Sequence, residues 1–436
     1  MNEVHHYCST KDANTHVSLK EAIFQGLAPD NGLFLPAQIK SLPDSFFLSL
    51  HNKNFREIAY DVSRHILGEE IPPDVLRNLV EESFSFEVPL IDIEENIRTL
   101  ELFHGPTLSF KDFGARFMAR LTAYYRKGAS RLHILAATSG DTGSAVADGF
   151  YNIPGIDVWV LYPAKKISAM QEKQITNLGN NIHAIEIDGN FDDCQHLVKS
   201  AFGDKELRTK MNLTSANSIN IARLIPQTFY YFHAFSHSRK NIPLVISVPS
   251  GNFGNLTAGL LAKKMGLKIH RFIAATNSND IVPKYLETGQ FSPGPSKHTV
   301  SNAMDVGDPS NFSRILSLYD HCYEDICKDI YGASFTDAET VEAIAALYKK
   351  TGYIADPHGA VGYLGLKKYL KGEKNPVSGI FLETAHPAKF SDTIKTAINI
   401  DPKIPERLQK SLESEKKGIS LPNDYAAFKE ILIRNH

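Results

Sequence analysis

Cysteine is scarce in this chain. Only Cys8, Cys194, Cys322 and Cys327 occur in 436 residues, and they have neither CxxC nor zinc-ligand spacing. That excludes a disulfide-stapled scaffold and a zinc ribbon, and it suits free thiols in a reducing cytoplasm. An excess of one charge is also lacking: the net charge is −2 at pH 7, so nothing in the composition calls for nucleic acid or an anionic membrane as partner. No apolar run approaches the roughly 20 residues of a membrane span. The opening MNEVHHYCSTKD has no apolar core of a signal peptide. Internal repeats and low-complexity tracts are missing as well. What remains is an ordinary globular composition, 42% hydrophobic and 22% charged, in a chain long enough for two or three domains with a large core. The expectation is a soluble cytoplasmic protein with no nucleic-acid or membrane partner.

The first hundred residues read differently from the rest. In SLKEAIFQGLAPDNGLFLP, Ser18 and Glu21 form a capping-box pattern and Pro29-Asp30-Asn31-Gly32 a turn. From there to residue 98 the pattern is helical with polar breaks, which predicts an N-terminal helical extension. Beyond it, RLHILAATSGDTGSAVADGF, IDVWVLYP, NIHAIEID, PLVISVPSGNFGNLTAGLLAKKMG, HRFIAATN and VSGIFLETAHPAKF repeat one theme, an apolar run followed by a loop and helical segments. Continuous apolar runs alternating with helices predict parallel sheets covered on both faces, an α/β fold. Residues 277–312, rich in Pro, Gly and Ser, interrupt the rhythm and are a candidate active-site cover.

Four loops could hold chemistry. PSGNFGN (249–255) follows an apolar strand and opens a helix. Its glycines let backbone N–H groups converge beside the positive end of a helix dipole, which suits a phosphate, although an ordinary strand-to-helix turn reads the same way. It is neither a Walker A loop nor GxGxxG, and no acidic residue ends the next strand to grip a ribose, so a small phosphorylated ligand fits better than a nucleotide. ATSGDTG (137–143) offers the hydroxyls of Thr138, Ser139 and Thr142 to a carboxylate, with simple helix capping as the alternative. Asp141 would repel that carboxylate unless a proton or cation accompanies it. In SANSINIARLIPQ, Asn217, Ser218 and Asn220 precede Arg223, a second anion clamp or else a surface ion pair. Finally, HGPTLSFKDFGARFM places Lys111 at a helix start beside Phe110 and Phe113. The dipole and the rings disfavour an ammonium there and prepare a Schiff-base nucleophile; a solvated first-turn lysine is the plain alternative. A reactive lysine, a phosphate cradle and a carboxylate loop on an α/β frame are together the parts of a pyridoxal phosphate enzyme.

The motifs YCSTKD, GLAPDNGLFLP, FHGPTLSFKDFG, TSGDTG, NSINIARLIPQ, PSGNFGN, NAMDVGDPSNF and ETAHPAKF, spread over residues 7 to 391, resemble those of the threonine synthase family, pyridoxal phosphate enzymes of the tryptophan-synthase-β type of fold. The resemblance implies two interleaved parallel-sheet domains: a smaller one at 112–235 and a larger one from 99–111 plus 236–400, flanked by an extension (1–98) and a peripheral tail (401–436). It implies conversion of O-phospho-L-homoserine and water to L-threonine and phosphate by a monomer or homodimer. Lys111 would carry the cofactor and serve as main acid/base. Gly251, Asn252, Phe253, Gly254 and Asn255 would cradle its phosphate. Thr384 would meet the pyridine nitrogen and Asp141 the phenolic oxygen, where many relatives of the fold have Asn. Ser139 and Thr142, with Thr138 in the same loop, would take the substrate carboxylate, and Asn217, Ser218 and Arg223 the substrate phosphate. The rivals are a phospho-lyase releasing 2-oxobutyrate on the same fold and a non-catalytic binding protein. Lys111, Thr384 and the intact phosphate loop speak against the second.

Overall fold

A computed structural model describes residues 6–434 apart from Ala129, Lys240 and Ser414. The first five residues of the opening segment, and the last two of the tail, lie outside the described residues. The chain begins with three short strands, β1 (His6–Ser9), β2 (His16–Ser18) and β3 (Phe34–Pro36), paired antiparallel in the order β2-β1-β3. The capping box at Ser18 and Glu21 forms, and Asn31 takes a left-handed φ of 61° in the expected turn. Four helical stretches follow, so helix is the commonest regular structure of the extension. Its small sheet was not expected, because strands of three or four residues are too short to show a period.

The remaining strands in chain order are β4 (Leu90–Glu94), β5 (Ile97–Glu101), β6 (Leu132–Ala137), β7 (Ile156–Pro163), β8 (Ile182–Asp188), β9 (Asn212–Ser215), β10 (Leu244–Pro249), β11 (Arg271–Thr276), β12 (Ile330–Ser334), β13 (Ser378–Glu383) and β14 (Gly418–Pro422). They build two sheets, as expected. The larger has the order β12-β11-β10-β13-β5-β4 and is parallel except at β4. The smaller has the order β14-β8-β7-β6-β9 and is parallel throughout. Every residue of β6, β7, β10 and β13 is buried, which is why their sequences are dominated by apolar residues rather than alternating apolar and polar.

Two expected boundaries shift. A cut at residue 98 would divide β5, because β4 and β5 already belong to the larger sheet, β4 at its edge and β5 between β4 and β13. The tail is not peripheral: β14 pairs with β8 along the edge of the smaller sheet, and Phe428 and Leu432 of the last helix are fully buried against it. Lys416 ties the tail to Glu172 (2.7 Å) and Glu186 (3.0 Å).

Chain direction fixes where a site can form. β5, β6, β9, β10, β11 and β13 all end toward one region, and in the larger sheet the strand order reverses beside β10. The crevice outside the carboxyl ends of parallel strands at such a reversal is where open α/β sheets bind ligands.

Candidate active site

A cavity of about 790 Å³ opens at those strand ends, lined by Lys111, Ser139, Thr142, Ser218, Arg223 and Thr384 among others, together with the 251–255 loop. That is ample for a cofactor and a small substrate together.

Lys111 is the first residue of the helix Lys111–Arg126, reached from β5 through the HGPT turn. Asp112, the second residue of this helix, braces the turn that leads into it. Its carboxylate accepts from Thr107 N (2.9 Å) and Thr107 Oγ1 (2.7 Å). A Cβ on Gly105 would stand only 2.3 Å from Asp112 Oδ2, so the glycine of HGPT is required. Phe110 N donates to Thr384 O (2.9 Å), pinning Lys111 to the end of β13. Nζ has no ion pair or hydrogen bond among the described residues and lies 5.0 Å from the centre of the Phe110 ring. Burial drives the Lys111 amine down to about 8; Lys389 and Arg223 push the same way, against Asp141 and Asp356. The depressed lysine was expected, but its cause differs. Phe113 points into a cluster with Phe55, Phe84, Phe86 and Tyr230, and a ring face at Phe110 favours a cation rather than opposing it.

Asp141 begins the helix after β6 and finds its cation within the protein. Lys389 Nζ lies 2.5 Å from Asp141 Oδ1, and both side chains are almost wholly buried. Gln171 Nε2 also donates to Asp141 (3.0 Å), and Lys389 makes a second bond to Thr107 O (2.9 Å). Burial alone would raise the Asp141 carboxyl, but Lys389 and then Lys111 outweigh it and hold it well below the usual carboxylate range. Lys389 stands inside the quoted ETAHPAKF, yet no spacing in the sequence pairs it with Asp141.

The ATSGDTG loop divides its hydroxyls. Thr138 Oγ1 accepts from Gly140 N (2.9 Å) and Gly143 N (2.8 Å) and donates to Gly140 O (3.1 Å), while Thr138 N bonds Leu161 O. Thr138 therefore shapes the loop and has no donor left for a ligand, a correction to its expected place on a substrate carboxylate. The hydroxyls of Ser139 and Thr142 make no hydrogen bond among the described residues and face the cavity.

The 249–255 loop is a backbone nest. Phe253 is held at φ 59°, ψ 10°, left-handed for a non-glycine residue, and ends the approach to the helix Gly254–Lys264. None of the backbone N–H groups from Gly251 to Asn255 has a hydrogen-bond partner among the described residues. Side chains brace the turn: Asn255 Nδ2 donates to Pro249 O (2.8 Å), and Asn252 Oδ1 accepts from Ser310 N (2.6 Å). A Cβ on Gly251 would stand 2.6 Å from Met304 Cα, so only glycine fits against that segment.

The SANSINIAR loop splits likewise. Asn217 faces the backbone of Ala137 with both ends of its amide, accepting from N (3.2 Å) and donating to O (2.8 Å). It thereby ties β9 to β6 and offers little to a ligand. Ser218 Oγ and Arg223 reach the cavity. Arg223 is 3% exposed, not a surface ion pair. It donates from Nη1 to Ala216 O (2.6 Å), has a buried Nε without a partner among the described residues, and is lowered by burial to about 10. Thr384 lines the cavity at the end of β13 with its hydroxyl unengaged among the described residues.

Residues 303–310 of the expected cover line the cavity, through Ala303, Met304, Asp305, Val306, Asp308 and Ser310. Asn277 and Asp305 anchor it (Nδ2 to Oδ1, 2.9 Å). Among the lining residues that the sequence reading did not name is His358, buried at the start of the helix Pro357–Gly372. Its Nδ1 is 2.5 Å from Asp356 Oδ1, and its Nε2 accepts from Ala303 N (3.2 Å), bracing the cover from below. The DPHG string carrying it gave no signal beyond a Pro at a helix start.

With this geometry in view, three family models match the chain: pyridoxal-phosphate dependent enzyme over residues 97–380, threonine synthase N terminus over 6–84, and threonine synthase, C-terminal, over 359–432. The threonine synthase of Haemophilus influenzae is 44% identical, the match covering 98% of this chain and 99% of that protein. The crystal structure of threonine synthase from Escherichia coli superposes with a TM-score of 0.92 at 42% identity, covering 99% of this chain and 100% of that one. A PLP-bound threonine synthase from Brucella melitensis does so with a TM-score of 0.92 at 33% identity, covering 99% of each.

Proposed function

Since this chain belongs to the threonine synthase family of pyridoxal-phosphate-dependent enzymes, we propose that it converts O-phospho-L-homoserine and water to L-threonine and phosphate, with Lys111 as the residue that holds the cofactor and moves the protons. One observation carries the assignment of residues. Five backbone N–H groups without partners among the described residues, Gly251 to Asn255, and a lysine lowered to about 8 line the same cavity.

The residues present fit the group. The nest at the helix N-terminus would hold its phosphate dianion, and the amine of Lys111, depressed by burial, would hold its carbonyl carbon. Bound there, pyridoxal phosphate supplies an electron-accepting ring to the substrate's Cα. Thr384 would hold its ring nitrogen with a neutral hydroxyl, and Asp141, its charge answered by Lys389, would stand at the ring's oxygen side.

The chain's own residues do the rest. Lys111 Nζ takes the proton from the substrate Cα, because its amine is already half neutral near pH 8. Ser139 and Thr142, with free hydroxyls, hold the substrate carboxylate, and Thr138 keeps their loop in shape. Ser218 and Arg223 bind the substrate's phosphate, which leaves as free phosphate, and Asn217 ties the segment that carries them to β6. The cover at 303–310 keeps water from the reacting carbons until phosphate has gone.

The test uses Lys111→Ala. Treated with pyridoxal phosphate and borohydride, it should carry no reduced cofactor adduct and should form no threonine. An adduct at another lysine, or residual turnover, rejects Lys111 in this role.

A further inference from the structure

The NAMDVGDPSNF stretch is followed by Arg314, whose side chain is 0% exposed. Its hydrogen bonds go to Phe34 O (3.0 Å), Ser218 O (3.0 Å), Asn311 Oδ1 (2.6 Å) and Ile219 O (2.6 Å). All four are neutral oxygens, and no carboxylate pairs with it among the described residues. Burial lowers the guanidinium to about 9 with nothing opposing. A buried cation bonded only to neutral oxygens is stabilised by an anion held nearby.

The neighbouring amides show where. A guanidinium only donates, so Arg314 fixes Asn311 with its oxygen inward and its NH2 outward. That NH2 donates to Ser218 Oγ (3.3 Å). Asn252 is fixed in the same way by Ser310 N, which donates to its Oδ1, and its Nδ2 also donates to Ser218 Oγ (2.7 Å). Ser218 Oγ therefore accepts twice, which fills both of its lone pairs, and its own proton must donate elsewhere. Ser218 lines the cavity beside Asn252 and the 251–255 nest.

The geometry points to Arg314 as a positioning residue that completes a phosphoryl-binding subsite: through Asn311 it forces the Ser218 hydroxyl to be a donor, and it supplies the buried positive charge that a phosphate monoester dianion neutralises. The relay runs from guanidinium to amide to hydroxyl, each link polarising the next. It joins the extension, through Phe34 O, to both phosphate-facing loops, so the extension helps shape the site rather than merely flanking it. This role rests on the proposed function and names the charge that answers a phosphate there. The phosphate is that of the cofactor or of the substrate.

Asn311→Asp tests it. The carboxylate keeps the bond from Arg314 but neutralises it, and it can only accept from Ser218, turning the hydroxyl proton inward. Apoprotein is titrated with pyridoxal phosphate and with pyridoxal by absorbance, and KM and kcat are measured for O-phospho-L-homoserine. The thermal midpoint should not fall, since an ion pair is gained. If the subsite holds the cofactor phosphate, pyridoxal phosphate affinity drops at least tenfold and pyridoxal affinity stays within twofold. If it holds the substrate phosphate, KM rises at least tenfold with kcat little changed. Pyridoxal phosphate and substrate both within twofold of wild type, in a folded variant, overturn the proposal. Should Asn311→Asp fail to fold, Ser218→Ala, which removes only the hydroxyl, is read by the same criteria. Wild-type protein that binds neither compound would instead defeat the functional reading, and this role with it.

Discussion

Lys389→Met probes the buried pair beneath the reactive lysine. Nζ lies 2.5 Å from Asp141 Oδ1 and 2.9 Å from Thr107 O, with the two charged side chains 0% and 2% exposed. Removing the cation strands a carboxylate in a dry site, and losses of this kind cost about 3–5 kcal/mol. Asp141→Asn strands the lysine in the same way. The double variant leaves neutral groups of similar size, so its cost should fall short of the sum of the singles by about 2 kcal/mol or more. The pH must be chosen with the sign in mind. Asp141 is held well below the usual carboxylate range in the fold. Its contribution is therefore complete above the unfolded value of about 3.9 and disappears only as pH falls through the folded one. At pH 7 the pair is intact. Urea unfolding of the four apoproteins at that pH gives the cycle directly. Single costs that add to within about 0.5 kcal/mol would refute the buried pair as a coupled unit. Lys389 also helps hold the Lys111 amine down, so the Met variant should shift the titration of Lys111 to higher pH.

Three further outcomes follow from the geometry. In wild-type apoprotein, covalent capture of pyridoxal phosphate should quicken as pH rises through about 8, the value of the Lys111 amine; a rise centred on the ordinary lysine value of about 10.4 would contradict it in a stopped-flow absorbance series. Gly251→Ala forces a Cβ to 2.6 Å from Met304 Cα, so it should destabilise by about 1–3 kcal/mol and weaken cofactor affinity, read by urea melts and by titration. Arg223→Ala should raise KM for O-phospho-L-homoserine much more than for an analogue lacking phosphate, and an equal rise for both would remove Arg223 from the phosphoryl group.

Much of this was legible because the relevant physics is local. Fully buried parallel strands such as β7 and β10 appear as predominantly apolar runs, and the glycines of PSGNFGN announce a backbone turn. Lys111 stood out because a cation sat among aromatic residues at a helix start. What escaped depends on contacts distant in sequence. β14 lies in a charged tail and becomes a strand only by pairing with β8. β4 is half-buried and antiparallel, and did not resemble its neighbours. Thr138 and Ser139 are adjacent hydroxyls, and only the fold turns one inward and the other to the cavity. Lys389 and Arg314 carry ordinary-looking charges whose burial is tertiary, as are their partners apart from Asn311 beside Arg314.

The central claim is tested most directly by incubating the purified protein and pyridoxal phosphate with O-phospho-L-homoserine and quantifying threonine, 2-oxobutyrate and phosphate together. Threonine and phosphate should appear in equal amounts, with 2-oxobutyrate absent. Phosphate accompanied by 2-oxobutyrate instead of threonine would contradict the account: the site would still eliminate phosphate, but it would not deliver water to the substrate as proposed.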